Sequence, residues 1–167
     1  MAGMNRIGEK FGQNKVFVPE LLMAAKAMNA CMKHLEPHFA SGNIKKKGVF
    51  IIGTVSGDLH DIGKNLVAMV VKGGGWDIVD LGVDVSADKF VAAVKQHPVC
   101  VVGLSALLTT TMVNMEKTVK AVKEASKDAK VVVGGAPLTQ DFANKIGADA
   151  YSADPQGALN FLNTIAA

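Results

Sequence analysis

From about residue 47 onwards strand and helix patterns alternate five times, and each of the first four strand runs is short, apolar and rich in Val or Ile. Strands are predicted at 48–53, 76–80, 99–104, 130–134 and 149–151. Helices are predicted at 63–72, 87–96, 110–125, 139–146 and 155–165; in the third, Met112, Met115, Val119 and Val122 share one face. Strands separated by helices pair in parallel through crossovers, not as hairpins. The expected fold class is therefore α/β, a doubly wound five-stranded parallel sheet. Five strands suggest the order 2-1-3-4-5, with the ligand crevice outside the carboxyl ends of strands one and three.

The first part of the chain reads differently. Residues 1–44 have helical spacing, with a short helix at Asn5 to Phe11 and a longer one after Pro19. Leu21, Ala25, Met28, Met32 and Leu35 fall on one face of the longer helix, and Glu36-Pro37 is expected to end it. Ser41-Gly42-Asn43 and Lys45-Lys46-Lys47 read as a solvated linker. The division is thus a partial helical cap over 1–44 and an α/β domain over 45–167. Two helices cannot bury such a stripe alone, so it is expected to meet a second copy of the chain, as a homodimer, or a partner protein.

The formal charge is +3, with lysines interleaved among acids, so no basic stripe argues for nucleic acid. No apolar stretch approaches the roughly 18 residues of a membrane span. Met1 to Arg6 has no apolar signal core, and the expected location is the cytoplasm. Cys31 and Cys100 lack the short spacing of a zinc site or a disulfide framework and read as buried small hydrophobes.

The chemistry sits at the predicted carboxyl edge of the sheet. Asp58-x-His60-x-x-Gly63 follows the run Val49-Phe50-Ile51-Ile52. A neutral imidazole there can ligate a metal, while a carboxylate two residues away holds its other nitrogen. Strand three leads into Ser105 to Thr111, and strand four ends in Gly134-Gly135, where a ligand can approach the backbone. Singly, each feature has a plain explanation. Asp58 and Asp61 could cap a helix, the threonines could start one, and paired glycines usually turn the chain.

Together they form a pattern. Asp58-x-His60-x-x-Gly63, Ser105-x-Leu107 and Gly134-Gly135, separated by residues 64–104 and 108–133, resemble the signature of cobalamin-binding domains in residues and spacing. Gly57 to Val67 and Ser105 to Met112 look specifically like the corrinoid proteins of methyltransferase systems. Phe17 to Ala25 resembles the second half of that family's helical cap, normally a four-helix bundle. The resemblance implies a flavodoxin-like or Rossmann-like domain that binds cobalamin or a related corrinoid base-off, with His60 as the lower axial ligand of cobalt. It implies that Asp58 holds the second ring nitrogen and that Thr111 completes a proton relay. Asp61, Ile62, Gly63 and Leu107 belong to the same binding motifs. Ser105 and Thr109 would contact the buried nucleotide tail, with Gly134 and Gly135 packed against it.

The implied role is a non-catalytic corrinoid subunit that shuttles a methyl group. Its implied partners are a substrate-specific methyltransferase and an acceptor methyltransferase with a pterin or thiol acceptor, together with a reductive activase. An adenosylcobalamin mutase subunit or a cobalamin sensor is the nearer alternative. A flavodoxin-like regulatory or flavin-binding domain would fit the fold but not the spacing of Asp58 and His60. The sequence shows no phosphate-loop lysine motif, usable Cys–His pair or zinc cluster that would supply another activity.

Overall fold

Residues 2–39 and 46–166 are described by a computed structural model. Two helices come first, α1 (Ala2–Gly12) and α2 (Val18–Phe39). The α/β part then runs β1 (Val49–Thr54), α3 (Ile62–Gly73), β2 (Asp77–Asp80), α4 (Ala87–Gln96), β3 (Cys100–Ser105) and α5 (Met112–Ala125). It finishes with β4 (Lys130–Gly134), α6 (Gln140–Lys145), β5 (Ala150–Ser152) and α7 (Pro155–Ile165). A 3-10 turn, Thr109–Thr111, precedes α5.

All five strands pair in parallel, in the expected order β2-β1-β3-β4-β5. Successive strand residues point to opposite faces, and a doubly covered sheet must make both faces apolar. Accordingly Ile51, Val102, Val131 and Val133 join Phe90 of α4, Met115, Val119 and Val122 of α5 and Ala143 of α6 in one cluster. Phe50, Ile52, Val101 and Val132 join Val70 and Val71 of α3 and Leu159 and Leu162 of α7 in the other. The register sets Thr54 beside Ser105, Ser105 beside Gly134, and Gly134 beside Ser152. One transverse row at the carboxyl edge therefore carries a small or hydroxylated residue from each of four strands.

The N-terminal helices correct one expectation. Leu21 and Ala25 are buried in the second cluster, with Ile7, Phe11 and Met28 packed against it. This upper half of the stripe is therefore covered within its own chain, in the cluster that also holds Val70 and Val71 of α3 and Leu159 and Leu162 of α7. Met32 and Leu35 belong to the same stripe, but their side chains lie outside the described residues.

The long helix also runs through Pro37 to Phe39 rather than ending at Glu36-Pro37. Proline removes one N–H from the ladder, and a helix tolerates that loss best near an end. Cys31 is exposed, contrary to the sequence reading, whereas Cys100 is buried as expected. Of the expected linker, residues 40–45 lie outside the described residues. Lys46 forms an ion pair with Asp77, and the Lys47 ammonium donates to Asn163 Oδ1 at 2.8 Å. No helix among the described residues is long and apolar enough to cross a membrane.

Candidate functional site

Asp58 and His60 occupy the loop between β1 and α3. Backbone hydrogen bonds shape that loop: Gly57 has a left-handed φ of 83°, and its N–H donates to Asp84 Oδ1 at 2.7 Å. The Asp84 N–H in turn donates to the Asp58 carbonyl at 3.0 Å. Asn114 Nδ2 reaches the Ser56 carbonyl from α5 at 2.8 Å. The fully buried Thr54 donates its hydroxyl to the His60 carbonyl at 2.9 Å. The histidine loop is thus fastened from the strand below, from the loop after β2 and from α5.

The Asp58 side chain is wholly buried. Oδ1 accepts from the His60 N–H at 3.0 Å and lies 2.7 Å from His60 Nδ1. Oδ2 accepts from the N–H groups of Leu107 at 2.7 Å and Leu108 at 3.3 Å, and lies 3.0 Å from Thr111 Oγ1. Burial alone would raise the carboxyl pKa; the donors from Leu107, His60 and Thr111 outweigh it and hold the group well below the usual carboxylate range. Asp58 is therefore a carboxylate, and a carboxylate only accepts. The proton between it and His60 must sit on Nδ1, so a neutral ring presents its lone pair at Nε2. The imidazole side chain is 52% exposed, and Nε2 makes no hydrogen bond within the described residues.

His60 opens onto a cleft of about 700 Å³, within the size range of small-molecule sites, about 300–1,000 Å³. The cleft runs from the exposed loop down between α3, α7 and the sheet. Its mouth is apolar: Leu59 is 72% exposed and Ile62 78%, and both line it with Leu107. Its depth is walled by Phe50, Ile52 and Val132 from the strands and by Tyr151, Ser152 and Pro155 near α7.

Most of the expected site residues meet here. His60, Asp61, Ile62, Gly63, Ser105, Leu107, Gly134 and Gly135 line the cleft. Asp58 and Thr111 sit behind the imidazole, where the Thr111 hydroxyl also lies 2.8 Å from the Leu108 carbonyl. Thr109 is exposed at the start of the 3-10 turn and is not among the lining residues. Asp61 occupies the N-cap position of α3 without capping it; its Oδ2 accepts from Asn65 Nδ2 at 3.0 Å. The strand residues and Tyr151 escape a reading of the sequence because they look like ordinary core. Lys64 escapes it because a helical lysine usually points to water.

The glycine pair sits at the cleft where neighbouring backbone comes close. A Cβ on Gly135 would lie 1.8 Å from the Ala106 carbonyl oxygen, and its φ is 141°. A Cβ on Gly134 would stand 3.0 Å from the Ser152 carbonyl oxygen. The missing side chains let backbone pack against backbone where β3, β4 and β5 end at the cleft. Among the described residues no three His, Cys, Asp or Glu side chains converge on a bare ion. A single open imidazole suits a metal that brings its remaining ligands with it.

The model of the B12 binding domain matches residues 48–159, and a second B12 binding domain model matches residues 1–36. The trimethylamine corrinoid protein of Methanosarcina barkeri is 46% identical over 162 residues, covering 95% of this chain and 75% of that protein. This chain belongs to the B12-binding corrinoid proteins of methyltransferase systems. A cobalamin-binding protein from Desulfitobacterium hafniense DCB-2 superimposes on this corrinoid protein with a TM-score of 0.84 and 32% identity, over 96% of this chain and 77% of that one. The methanol:cobalamin methyltransferase complex MtaBC from Methanosarcina barkeri contains a chain that matches at TM-score 0.80 and 27% identity, over 98% of this chain and 63% of that one. The residues present fit a corrinoid: one imidazole donor, an apolar mouth and a cleft of about 700 Å³ behind them.

Proposed function

We propose that this corrinoid protein is a methyl carrier that binds cobalamin or a related corrinoid base-off, with His60 as the lower axial ligand. The observation that carries the reading is the open Nε2 of His60, on a cleft of about 700 Å³ that would serve as the slot for the displaced nucleotide tail. When bound, the corrinoid supplies a cobalt centre that takes up and gives away a methyl group; the protein positions and tunes it.

The chain's own residues supply the rest. Asp58 orients the ring and keeps the proton on Nδ1, which leaves Nε2 a donor of its lone pair. When His60 is not ligated, Nε2 can take up a proton, and the Asp58 carboxylate stabilises the resulting imidazolium. The Thr111 hydroxyl has one proton and two acceptors in reach, Asp58 and the Leu108 carbonyl, so it can turn between them as the charge changes. Leu59, Ile62 and Leu107 offer an apolar floor to the macrocycle. Ser105 and the Gly134-Gly135 row line the tail's path, and Thr109 contributes if its turn closes on the bound cofactor.

The methanol:cobalamin methyltransferase complex among the relatives supports a methyltransferase as partner. We further propose an acceptor methyltransferase, with a pterin or thiol acceptor, acting in turn with a substrate-specific one. A reductive activase would restore the cofactor after oxidation. The test is transfer of an isotope-labelled methyl group from candidate methylamine or methanol donors, by a cognate methyltransferase, to hydroxocobalamin held and reduced on this protein. Label is expected on the protein-bound corrinoid. Equal labelling of free corrinoid without this protein would contradict a carrier role.

The slot carries its own prediction. Gly134→Leu should leave the far-ultraviolet dichroism of the apo protein unchanged, because its Cβ needs only a few tenths of an ångström from Ser152. The longer side chain fills space meant for the tail. Hydroxocobalamin uptake, read by gel filtration and absorbance, should fall by about a hundredfold or more, on the order of 3 kcal/mol. Normal uptake would mean that the tail does not pass Gly134.

A further inference from the structure

The first turn of α3 forms one wall of the slot, through Ile62, Gly63 and Lys64. Lys64 is unlike the other lysine of this helix. Lys72 is exposed, but the Lys64 side chain is only 2% exposed. Its ammonium lies 2.6 Å from Asp80 Oδ2 and 2.7 Å from Asn65 Oδ1. Asp80 is the last residue of β2, in register with Ile52 of β1. Its other oxygen, Oδ1, accepts from the Gly82 N–H at 2.9 Å. One buried cation therefore ties the start of α3 to the end of the edge strand, four residues after His60.

Stability alone does not explain a lysine at this position. A buried ammonium loses its hydration, and well-packed apolar residues often serve as well or better in place of such a pair. The ion pair instead adds direction: it fixes where the helix start sits relative to the sheet. That start is both the slot wall and the continuation of the His60 loop. Ligation by His60, with Asp58 and Thr111 behind it, makes no use of Lys64.

We propose that Lys64 is a positioning residue for the corrinoid: its buried ammonium, bridging Asp80 and Asn65, holds the first turn of α3 against the end of β2 and so sets the slot wall and the seat of His60. The assignment rests on reading the slot as the seat of the nucleotide tail. Without this tie the first turn is free to lift. The tail is then held less firmly, and His60 meets the metal less often.

Lys64→Met keeps the apolar stem of the side chain and removes the ammonium, leaving the half-exposed Asp80 to water. The full chain is loaded with hydroxocobalamin, and Lys72→Met serves as the control on the exposed face of the same helix. Lys64→Met is expected to keep the apo dichroism, speed amide exchange at residues 62–67, and release hydroxocobalamin about tenfold faster. The share of bound cofactor with a histidine-ligated spectrum should also fall, whereas Lys72→Met matches the unaltered protein. A change in packing alone would not move that spectral share. If Lys64→Met does not fold, Asp80→Asn, which keeps the Asn65 bond, is measured in the same way. Release rate and spectrum equal to the unaltered protein in the variant that folds would overturn the assignment. If the unaltered protein takes up no hydroxocobalamin, the functional reading fails. Amide exchange in the apo variants then still tests the tie between α3 and β2, and unchanged exchange would overturn that as well.

Discussion

Asp58→Ala should unfold more easily than any other single change in the histidine loop. The substitution strands three backbone N–H groups, the Thr111 hydroxyl and His60 Nδ1 around a space no longer holding an acceptor. Each buried group left unpaired costs about 1–3 kcal/mol, less where water enters or Thr111 turns to Leu108. A total loss of about 3–5 kcal/mol is expected, which for a domain of this size lowers the melting temperature by about 10 °C. The effect has a pH signature. The folded-state pKa of Asp58 lies below its unfolded value, so its contribution is present above about pH 4 and fades as pH falls through the lower folded value. Thermal melts of the two proteins should therefore differ most at neutral pH and converge in acid. Equal melting temperatures at pH 7 would show that the carboxylate does not hold these loops together.

Gly135→Val should be the most damaging change on the far side of the slot. Its Cβ would fall 1.8 Å from a backbone oxygen of Ala106, and backbone has little room to move. The left-handed φ adds strain for a β-branched residue, about 1–3 kcal/mol, on top of overpacking of similar size. We expect a loss of about 2–5 kcal/mol in urea unfolding together with complete loss of corrinoid uptake. The contrast with Gly134→Leu is informative, because that variant should lose uptake while remaining folded. A Gly135→Val protein that is stable and loads normally would mean the slot is more open than its backbone contacts require.

The sheet was legible because its strands are short, apolar and evenly separated, and because both faces are covered. Parallel pairing follows once crossovers replace hairpins, whereas the order β2-β1-β3-β4-β5 is one of several that the same alternation allows and is set by packing in three dimensions. The cluster of Asp58, His60, Ser105 and Gly134 was legible because a parallel sheet gathers the ends of its strands at one edge. Other features need the third dimension. Leu21 and Ala25 looked unpartnered because the cluster that covers them, with Val70 and Val71 of α3, lies tens of residues away. The slot is walled by Phe50, Ile52 and Val132, whose sequence signal is that of any strand core. The hold of Asp58 on the Leu107 and Leu108 N–H groups leaves no trace in residue type, since every residue but proline offers that donor. Lys64 reads as a surface lysine until Asp80 is seen beside it.

The central claim, that His60 is the axial ligand at the mouth of this slot, has a direct spectroscopic test. The protein is prepared with nitrogen-15 histidine, loaded with natural-abundance hydroxocobalamin and reduced by one electron. Electron paramagnetic resonance of the cobalt then reports the nuclear spin of its axial nitrogen. A histidine donor predicts doublet superhyperfine splitting in the labelled protein, triplet splitting in the unlabelled protein, and neither in His60→Ala loaded in the same way. A triplet that survives histidine labelling would show that the cofactor's own base stays on the cobalt and that His60 is not its axial ligand.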